Sequence, residues 1–334
     1  MFLNSWSIAL SLLSSAVLFF AAVSGKTAWR VLRSWNPASD DREQIALESE
    51  IWLTSTLIEY TLAFQIIGLI LLVLAADSFC EVIVGAMCAT GSLLANAYGV
   101  PALMVKLVGL FFYGFWIVLH RLDISAETYP LVRIKYLYFL VLLPLLGGDV
   151  LLQSLYLANL QPDIITSCCG VIFAEGGDGG MNLLAGFDGP RLLFLFYGLA
   201  LLLAMGGGGL RRRARRWGAL VYAGGWLFFL LIAIVAVTVV FSSYIYAMPY
   251  HHCPFCILKP EYRSIGYALY GTLLPAAFMG MSVGLVQPLR RWAELRPAIE
   301  RMEKAFLTGS LLLLAAFVCL ASYHLVLYRL TGGE

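Results

Sequence analysis

Residues 218–243 read GALVYAGGWLFFLLIAIVAVTVVFSS and contain no Asp, Glu, Lys or Arg. About 20 apolar residues in an α-helix cross the roughly 30 Å of hydrocarbon in a bilayer, so this stretch is long enough to span one. Its apolar residues are continuous rather than alternating with a period of two, which indicates a helix and not a strand of a β-barrel. We therefore expect a transmembrane helix here.

Seven further stretches have the same character. Together the stretches predict transmembrane helices at about residues 6–24, 51–76, 100–119, 136–157, 191–210, 218–243, 264–287 and 305–328. The composition agrees, because only 13% of the residues are charged and the mean hydropathy is +0.84, whereas soluble domains carry about 25% charged residues. The predicted fold class is an all-α membrane protein, a polytopic bundle of about eight helices that forms one transmembrane domain over residues 1–334. The first stretch lacks a preceding basic segment, so we expect a span there and not a cleaved signal peptide.

Lys and Arg are concentrated in alternate connections between the predicted helices. Seventeen of the 22 lie in the first, third, fifth and seventh connections: Lys26, Arg30, Arg33, Arg42, Arg121, Arg133, Lys135, Arg211, Arg212, Arg213, Arg215, Arg216, Arg290, Arg291, Arg296, Arg301 and Lys304. Four lie on the other side, namely Arg191, Lys259, Arg263 and Arg329. Cytoplasmic loops carry the excess of basic residues, so this pattern predicts an N-out, C-out protein of the cell inner membrane. This distribution of basic residues implies the lipid bilayer as a partner and not nucleic acid.

In the first connection, residues 39–50 predict a short surface helix.

The connection that follows residues 218–243 carries the most distinctive motif of the chain. Residues 250–262 read YHHCPFCILKPEY and include His251, His252, Cys253 and Cys256. The Cys-x-x-Cys spacing allows the two sulfurs to close a small ring, and a helix beginning after the first cysteine would favour its thiolate. The same side chains could hold a soft metal ion through thiolate and imidazole. A third interpretation is a short loop closed by a structural disulfide.

The tetrad Cys253-Pro254-Phe255-Cys256 resembles the active-site motif of glutaredoxins. The resemblance covers these four residues and implies thiol–disulfide exchange. No βαβ pattern surrounds the motif, so the thioredoxin-like fold is not part of the prediction.

The cysteines are segregated to one predicted side of the membrane. Six of the seven fall in three consecutive outward loops: Cys80, Cys88, Cys168, Cys169, Cys253 and Cys256. Disulfides form and persist on the outer face of a bacterial-type inner membrane, because that face is oxidising. Six cysteines allow fifteen pairings. A bridge between the neighbours Cys168 and Cys169 would be strained and therefore labile, unless each pairs with a different loop. We predict that the outward loops fold over one another and bring the three cysteine pairs into one region.

The leading functional hypothesis is an extracytoplasmic thiol–disulfide centre. It would pass electrons between a membrane carrier such as quinone and an extracytoplasmic redox partner protein. Cys253 would attack, Cys256 would resolve, Cys168 and Cys169 would form a second exchanging pair, and His251 and His252 would favour the thiolate or move its proton.

Two alternatives use the same residues differently. In the first, a copper-type metal-handling protein ligates its cargo through His251, His252, Cys253, Cys256, Cys168 and Cys169 and passes it to a metal-accepting protein. In the second, the chain is a structural or assembly subunit of a respiratory complex and the cysteines are disulfide staples. Cys80 and Cys88 are candidates for a disulfide in any of these hypotheses.

Three ionisable residues lie inside predicted spans. Glu59 lies on the cytoplasmic side of the second span, Lys106 on the outer side of the third, and Asp149 near the outer end of the fourth. Ionisable groups at membrane depth are costly and are functional candidates by default. The alternatives are a satisfied carboxyl in the bundle interior for Glu59 and a side chain that snorkels to the outer surface for Lys106. Glu59 and Lys106 lie in opposite leaflets, so we expect no direct ion pair between them.

The distribution of basic residues yields a test of orientation. A reporter enzyme that is active only outside the cytoplasm, fused after Glu334, should be active in intact cells. The control is the same reporter inserted after Arg213, in the strongly basic fifth connection, where it should be inactive. An inactive C-terminal fusion would show that the predicted orientation or number of spans is wrong.

Overall fold

The computed structural model describes residues 4–35, 41–161, 188–212, 216–248 and 251–332. Within these ranges the regular elements are helices, and eight of the helices are long and apolar enough to cross a membrane. The all-α fold class and the number of membrane helices predicted from the sequence are therefore confirmed for the described part of the chain. The orientation in the membrane stays a prediction.

The helices are named here in chain order. They are α1 (Ser5–Ser34), α2 (Arg42–Phe79), α3 (Ala89–Leu94), α4 (Gly99–Asp123), α5 (Val132–Ala158), α6 (Gly189–Arg212), α7 (Arg216–Ala236), α8 (Ser242–Tyr246), α9 (Ile265–Val286) and α10 (Arg296–Thr331). A π-helical turn, Val237–Phe241, joins α7 to α8, so the two form one membrane-spanning segment. Short 3-10 turns occupy Cys256–Leu258 and Pro260–Tyr262 in the connection before α9.

Helix α2 corrects the prediction of a separate surface helix at residues 39–50. It begins at Arg42 and continues without interruption for 38 residues, a length of about 57 Å at 1.5 Å per residue. No Gly or Pro separates the polar first turns from the apolar span, so nothing in the local sequence ends the helix there. An ion pair of 2.7 Å between Arg30 on α1 and Glu50 on α2 ties this extension to its neighbour.

The chain forms two compact units. The first comprises Met1–Thr166 with Trp292–Ala298. In it α1 packs against α2 and α5, and α4 packs against the same two helices, so the four form a closed ring. Large aromatic side chains fill the middle of this bundle: Tyr113, Trp116, Tyr136 and Phe139 are all buried.

The second unit comprises Ser167–Arg291 and Ile299–Glu334, with α7 packed against α6 and α9. Two small residues four positions apart on α9 allow its close approach to α7. A Cβ atom on Gly280 would lie 2.1 Å from Cδ1 of Trp226, and one on Gly284 would lie 2.5 Å from the Cβ of Ala223. Such pairs of small residues are typical of membrane helices whose backbones approach closely.

The contact at Gly280 predicts a specific loss of stability. Gly280→Ala should lower the free energy of unfolding by about 1–3 kcal/mol, because the new methyl group collides with a buried indole ring. The control is Gly271→Ala on the same helix, where a Cβ would meet no atom within 4 Å; it should leave stability unchanged or raise it by up to about 1 kcal/mol. Thermal unfolding of the purified protein in detergent, followed by circular dichroism, compares the two. Equal midpoints would contradict the packing described here.

Candidate functional site

The cysteine motif lies in the second unit, in the connection between α8 and α9. Cys253 is completely buried and Cys256 is 7% exposed. Their sulfur atoms lie within 4.8 Å of each other. Cys256 begins the 3-10 turn Cys256–Leu258, which turns the chain back on itself directly after the tetrad. The two sulfurs are therefore close enough to form a bridge after a small movement or to share one ion.

Tyrosine hydroxyls from both neighbouring helices hold the backbone of the motif. The hydroxyl of Tyr246, at the end of α8, donates a hydrogen bond to the carbonyl oxygen of Cys253. The hydroxyl of Tyr270, on α9, donates to the carbonyl oxygen of Pro254 at 2.9 Å. Buried carbonyl groups need such partners, since a buried unsatisfied polar group costs about 1–3 kcal/mol. The tetrad is thus fixed from two sides and is not a free turn.

The two histidines of the motif pack against α8. The ring of His251 contacts the ring of Tyr246 edge-on, with centroids 4.6 Å apart. Nδ1 of His252 lies 3.4 Å from Oγ of Ser243. The ring of Tyr246 also contacts the ring of Tyr262, with centroids 4.5 Å apart, so Tyr246 is the centre of a small aromatic cluster. The predicted influence of the histidines on the thiolate stays a prediction.

Of the other four cysteines in the predicted outward loops, the structure describes two. Cys168 and Cys169 lie outside the described residues. Cys80 follows the last residue of α2, with its sulfur 2.8 Å from the carbonyl oxygen of Asp77, and Cys88 precedes α3. Both of these are buried in the first unit. Their pairing, and the convergence of the three pairs, stay predictions.

Lys106 and Asp149 form an ion pair inside the first unit. Nζ of Lys106 lies 2.9 Å from Oδ1 of Asp149, and the two side chains are 1% and 0% exposed. Nε2 of Gln65 donates to the other carboxylate oxygen at 2.6 Å, and the Tyr113 hydroxyl lies 3.4 Å from it. The alternative in which Lys106 snorkels to the surface is wrong, because the carboxylate of α5 offers the ammonium group a partner at the same depth.

Gly109 allows the Tyr113 hydroxyl to approach Asp149. The ring of Tyr113 lies over Gly109 of the same helix, where a Cβ atom would come within 2.5 Å of the ring. A side chain on an α-helix leans toward the N-terminus of the helix. The Tyr113 hydroxyl therefore reaches back along α4 toward Asp149, and any larger residue at position 109 would displace it.

Glu59 belongs to a second charged cluster at the other end of the same bundle. Its Oε1 lies 2.5 Å from a guanidinium nitrogen of Arg121, and its Oε2 lies 3.7 Å from Nε2 of His120. Nδ1 of His120 is 3.5 Å from Nζ of Lys135, which is itself 2.6 Å from Oδ2 of Asp123. The five side chains thus form a continuous chain of polar contacts, with a carboxylate near each end paired to a basic side chain.

Sequence reasoning missed three members of this chain. His120, Asp123 and Lys135 lie at the ends of α4 and α5, and only Lys135 was named from the sequence, as a contributor to membrane orientation. The available signal was an acidic and a basic residue on either side of one short connection. Asp123 and Lys135 are 0% and 1% exposed. Oδ1 of Asp123 also accepts a hydrogen bond from the backbone N–H of Leu131 at 2.8 Å. This carboxylate therefore ties the end of α4 to the residue that precedes α5.

Comparison of the chain with protein-family models, curated proteins and solved structures found no match. The chemistry of the side chains is therefore what indicates a function. Two thiols within 4.8 Å of each other support two-electron redox chemistry or binding of a soft metal.

The buried ion pair gives a test of its energetic role. Lys106→Met should destabilise the protein by about 3–5 kcal/mol, because it leaves the Asp149 carboxylate buried without its cation. The double change Lys106→Met with Asp149→Leu should recover most of that loss. The control is Arg30→Gln, which breaks the half-exposed pair with Glu50 and should cost no more than about 1 kcal/mol. Thermal unfolding in detergent measures all three, and a double variant no more stable than Lys106→Met would contradict the argument.

Proposed function

We propose that this protein is a membrane thiol–disulfide oxidoreductase whose exchanging couple is Cys253 and Cys256. The observation that supports this proposal best is the position of the two sulfurs, within 4.8 Å of each other in a buried loop. Tyr246 and Tyr270 fix the backbone of that loop from two helices. A sulfur pair held in this way needs little movement to open and close its bridge, since bridges require specific separations and dihedral angles.

The exchange passes through a mixed disulfide. The Cys253 thiolate attacks one sulfur of a partner disulfide, a new sulfur–sulfur bond forms, and the other partner sulfur leaves as a thiolate. The Cys256 thiolate then attacks the sulfur of Cys253, closes the Cys253–Cys256 bridge and releases the second partner thiolate. Two electrons thus pass from this pair to the partner. In the opposite direction, a dithiol partner reduces the bridge, and a quinone that accepts two electrons and two protons restores it while becoming a quinol.

Burial of both sulfurs adds a condition to this mechanism. A partner protein cannot attack a sulfur that is 0% or 7% exposed, so the loop must open before exchange. Local opening of a segment is common and has its own free-energy cost. Opening here breaks the hydrogen bonds from Tyr246 and Tyr270, and we expect these two contacts to control the rate at which the pair becomes accessible.

A metal-handling function remains the second proposal, and the same distance favours it. Two thiolates that bind one tetrahedral ion at about 2.3 Å each lie roughly 3.8 Å apart. The sulfurs of Cys253 and Cys256 are within 4.8 Å of each other, which also fits two ligands of a copper-type or zinc ion. His251 and His252 would then be candidates for further ligands.

A redox titration of the full chain in detergent separates these functions. At each potential the protein is quenched with acid, unfolded in SDS, and alkylated with light reagent before reduction and heavy reagent after it. Mass spectrometry of the peptide that contains Cys253 and Cys256 then reports that pair alone. We expect the bridge to open at a potential above about −300 mV, the approximate limit below which structural bridges lie.

The other outcomes identify the alternatives. A bridge that stays closed below that limit supports a structural staple. Thiols in the folded protein that react only after a chelator is added, together with metal in the purified protein, support the metal site. The double change His251→Ala with His252→Ala should shift the redox midpoint if the proposal is correct, whereas His324→Ala, outside the motif, should not.

A further inference from the structure

The first unit contains a cavity of about 720 Å³ that the thiol chemistry does not use. It lies between the N-terminal part of α2 and the connection from α4 to α5, with Trp35 on a third side. Pockets that bind small molecules have volumes of about 300–1,000 Å³ and are lined mainly by apolar and aromatic groups with a few polar ones. This cavity has that size and that mixture.

The charges around the cavity favour a cation. Three carboxylates line it, those of Glu48, Glu59 and Glu127, against one ammonium group, that of Lys135. Lys135 is already 2.6 Å from Asp123, and Glu59 is already 2.5 Å from Arg121. Glu48 and Glu127 are exposed at the cavity, and no Lys or Arg of the described ranges forms an ion pair with either. The cavity therefore retains an excess of negative charge and would repel an anion.

The aromatic walls indicate what kind of cation fits. The rings of Trp52 and Tyr129 meet almost at right angles, with centroids 6.1 Å apart, and form a corner of the cavity. Trp52 is 59% exposed, so its ring is accessible to a ligand. Tyr129 has a positive φ of 46°, a strained conformation for a bulky residue, and such strain is concentrated at binding and catalytic sites. Organic ammonium groups are recognised by aromatic faces combined with carboxylates.

We propose that this cavity binds an organic ammonium cation with an apolar body, such as an alkyl amine or a quaternary ammonium compound. The ammonium group lies against Trp52 and Tyr129, near Glu48 and Glu127. The apolar body packs on the isoleucine and valine side chains of the wall, namely Ile45, Ile51, Ile124 and Val132. A hard metal ion is a poorer fit, because it needs about six or more converging oxygen ligands. This inference does not depend on the proposed thiol function.

Isothermal titration of the full chain in maltoside detergent, which contains no ammonium group, tests the proposal. The probes are hexyltrimethylammonium, hexyl sulfate and hexanol, which share one chain and differ in the charge of the head. We expect saturable binding of the ammonium probe alone. Equal binding of hexyl sulfate, or a non-saturating signal that reports only partition into micelles, would overturn the proposal.

Variants connect the binding to the named residues. Glu48→Gln with Glu127→Gln should weaken binding at least 10-fold, and Trp52→Leu should weaken it several-fold. The controls are Glu43→Gln on the same helix and Trp217→Leu, neither of which lines the cavity; both should bind as the native protein does. All five positions are exposed, so unfolding is not expected, and thermal midpoints confirm that each variant folds. Native affinity in the double Gln variant would refute the assignment.

The same chemistry could come from a lipid headgroup or from a free amine. Preparations washed with excess detergent and then supplied with phosphatidylethanolamine distinguish the two sources. If the lipid at stoichiometric amounts blocks the probe, the natural ligand is a lipid ammonium group. If the probe still binds with unchanged affinity, the site takes a free organic cation.

Discussion

The interior of a bilayer offers no water, so each polar group placed there must find its partner within the protein. For the backbone, this constraint requires uninterrupted helices, and eight long apolar helices are found in the described residues. For side chains, it requires pairs. Lys106 on α4 meets Asp149 on α5 at 2.9 Å, and Gln65 on α2 donates to the same carboxylate at 2.6 Å. Rotation of any of these three helices would separate a buried charge from its partner, so the pair fixes the orientation of each helix within the first unit.

The helices could be predicted from the sequence because the bilayer constraint acts on each segment separately. Hydropathy locates the apolar part of a helix but not its polar continuation, which is why the first turns of α2 were expected as a separate surface helix. The pairing of Lys106 with Asp149 could have been predicted from the sequence. Both residues lie several positions from the predicted outer ends of consecutive, antiparallel spans, and hence at similar depth. The sequence does not show which face of each helix points into the bundle, because the packing of the helices determines it.

The candidate site shows the same division between local and tertiary information. Cys253 and Cys256 are three positions apart, so the sequence alone identified them as a pair. Tyr246 and Tyr270, which hold the tetrad, lie 7 residues before Cys253 and 14 residues after Cys256, and no motif marks them. His120, Asp123 and Lys135 were missed for a different reason. A charge at the end of a membrane helix can face the lipid headgroups or turn inward, and the sequence does not distinguish these cases.

The ion pairs of the first unit also bear on the predicted orientation. Lys135 is buried against Asp123, and Arg121 is paired with Glu59, so these two cations have partners that explain their presence without reference to membrane orientation. Removing them from the count leaves 15 basic residues on the predicted cytoplasmic side against four on the other. The asymmetry is therefore carried mainly by the first, fifth and seventh connections, where strings of Arg and Lys follow or precede apolar spans. The rule that cytoplasmic loops are basic counts Lys and Arg, and acidic residues contribute little to it. The predicted orientation of the chain thus does not depend on Arg121 or Lys135.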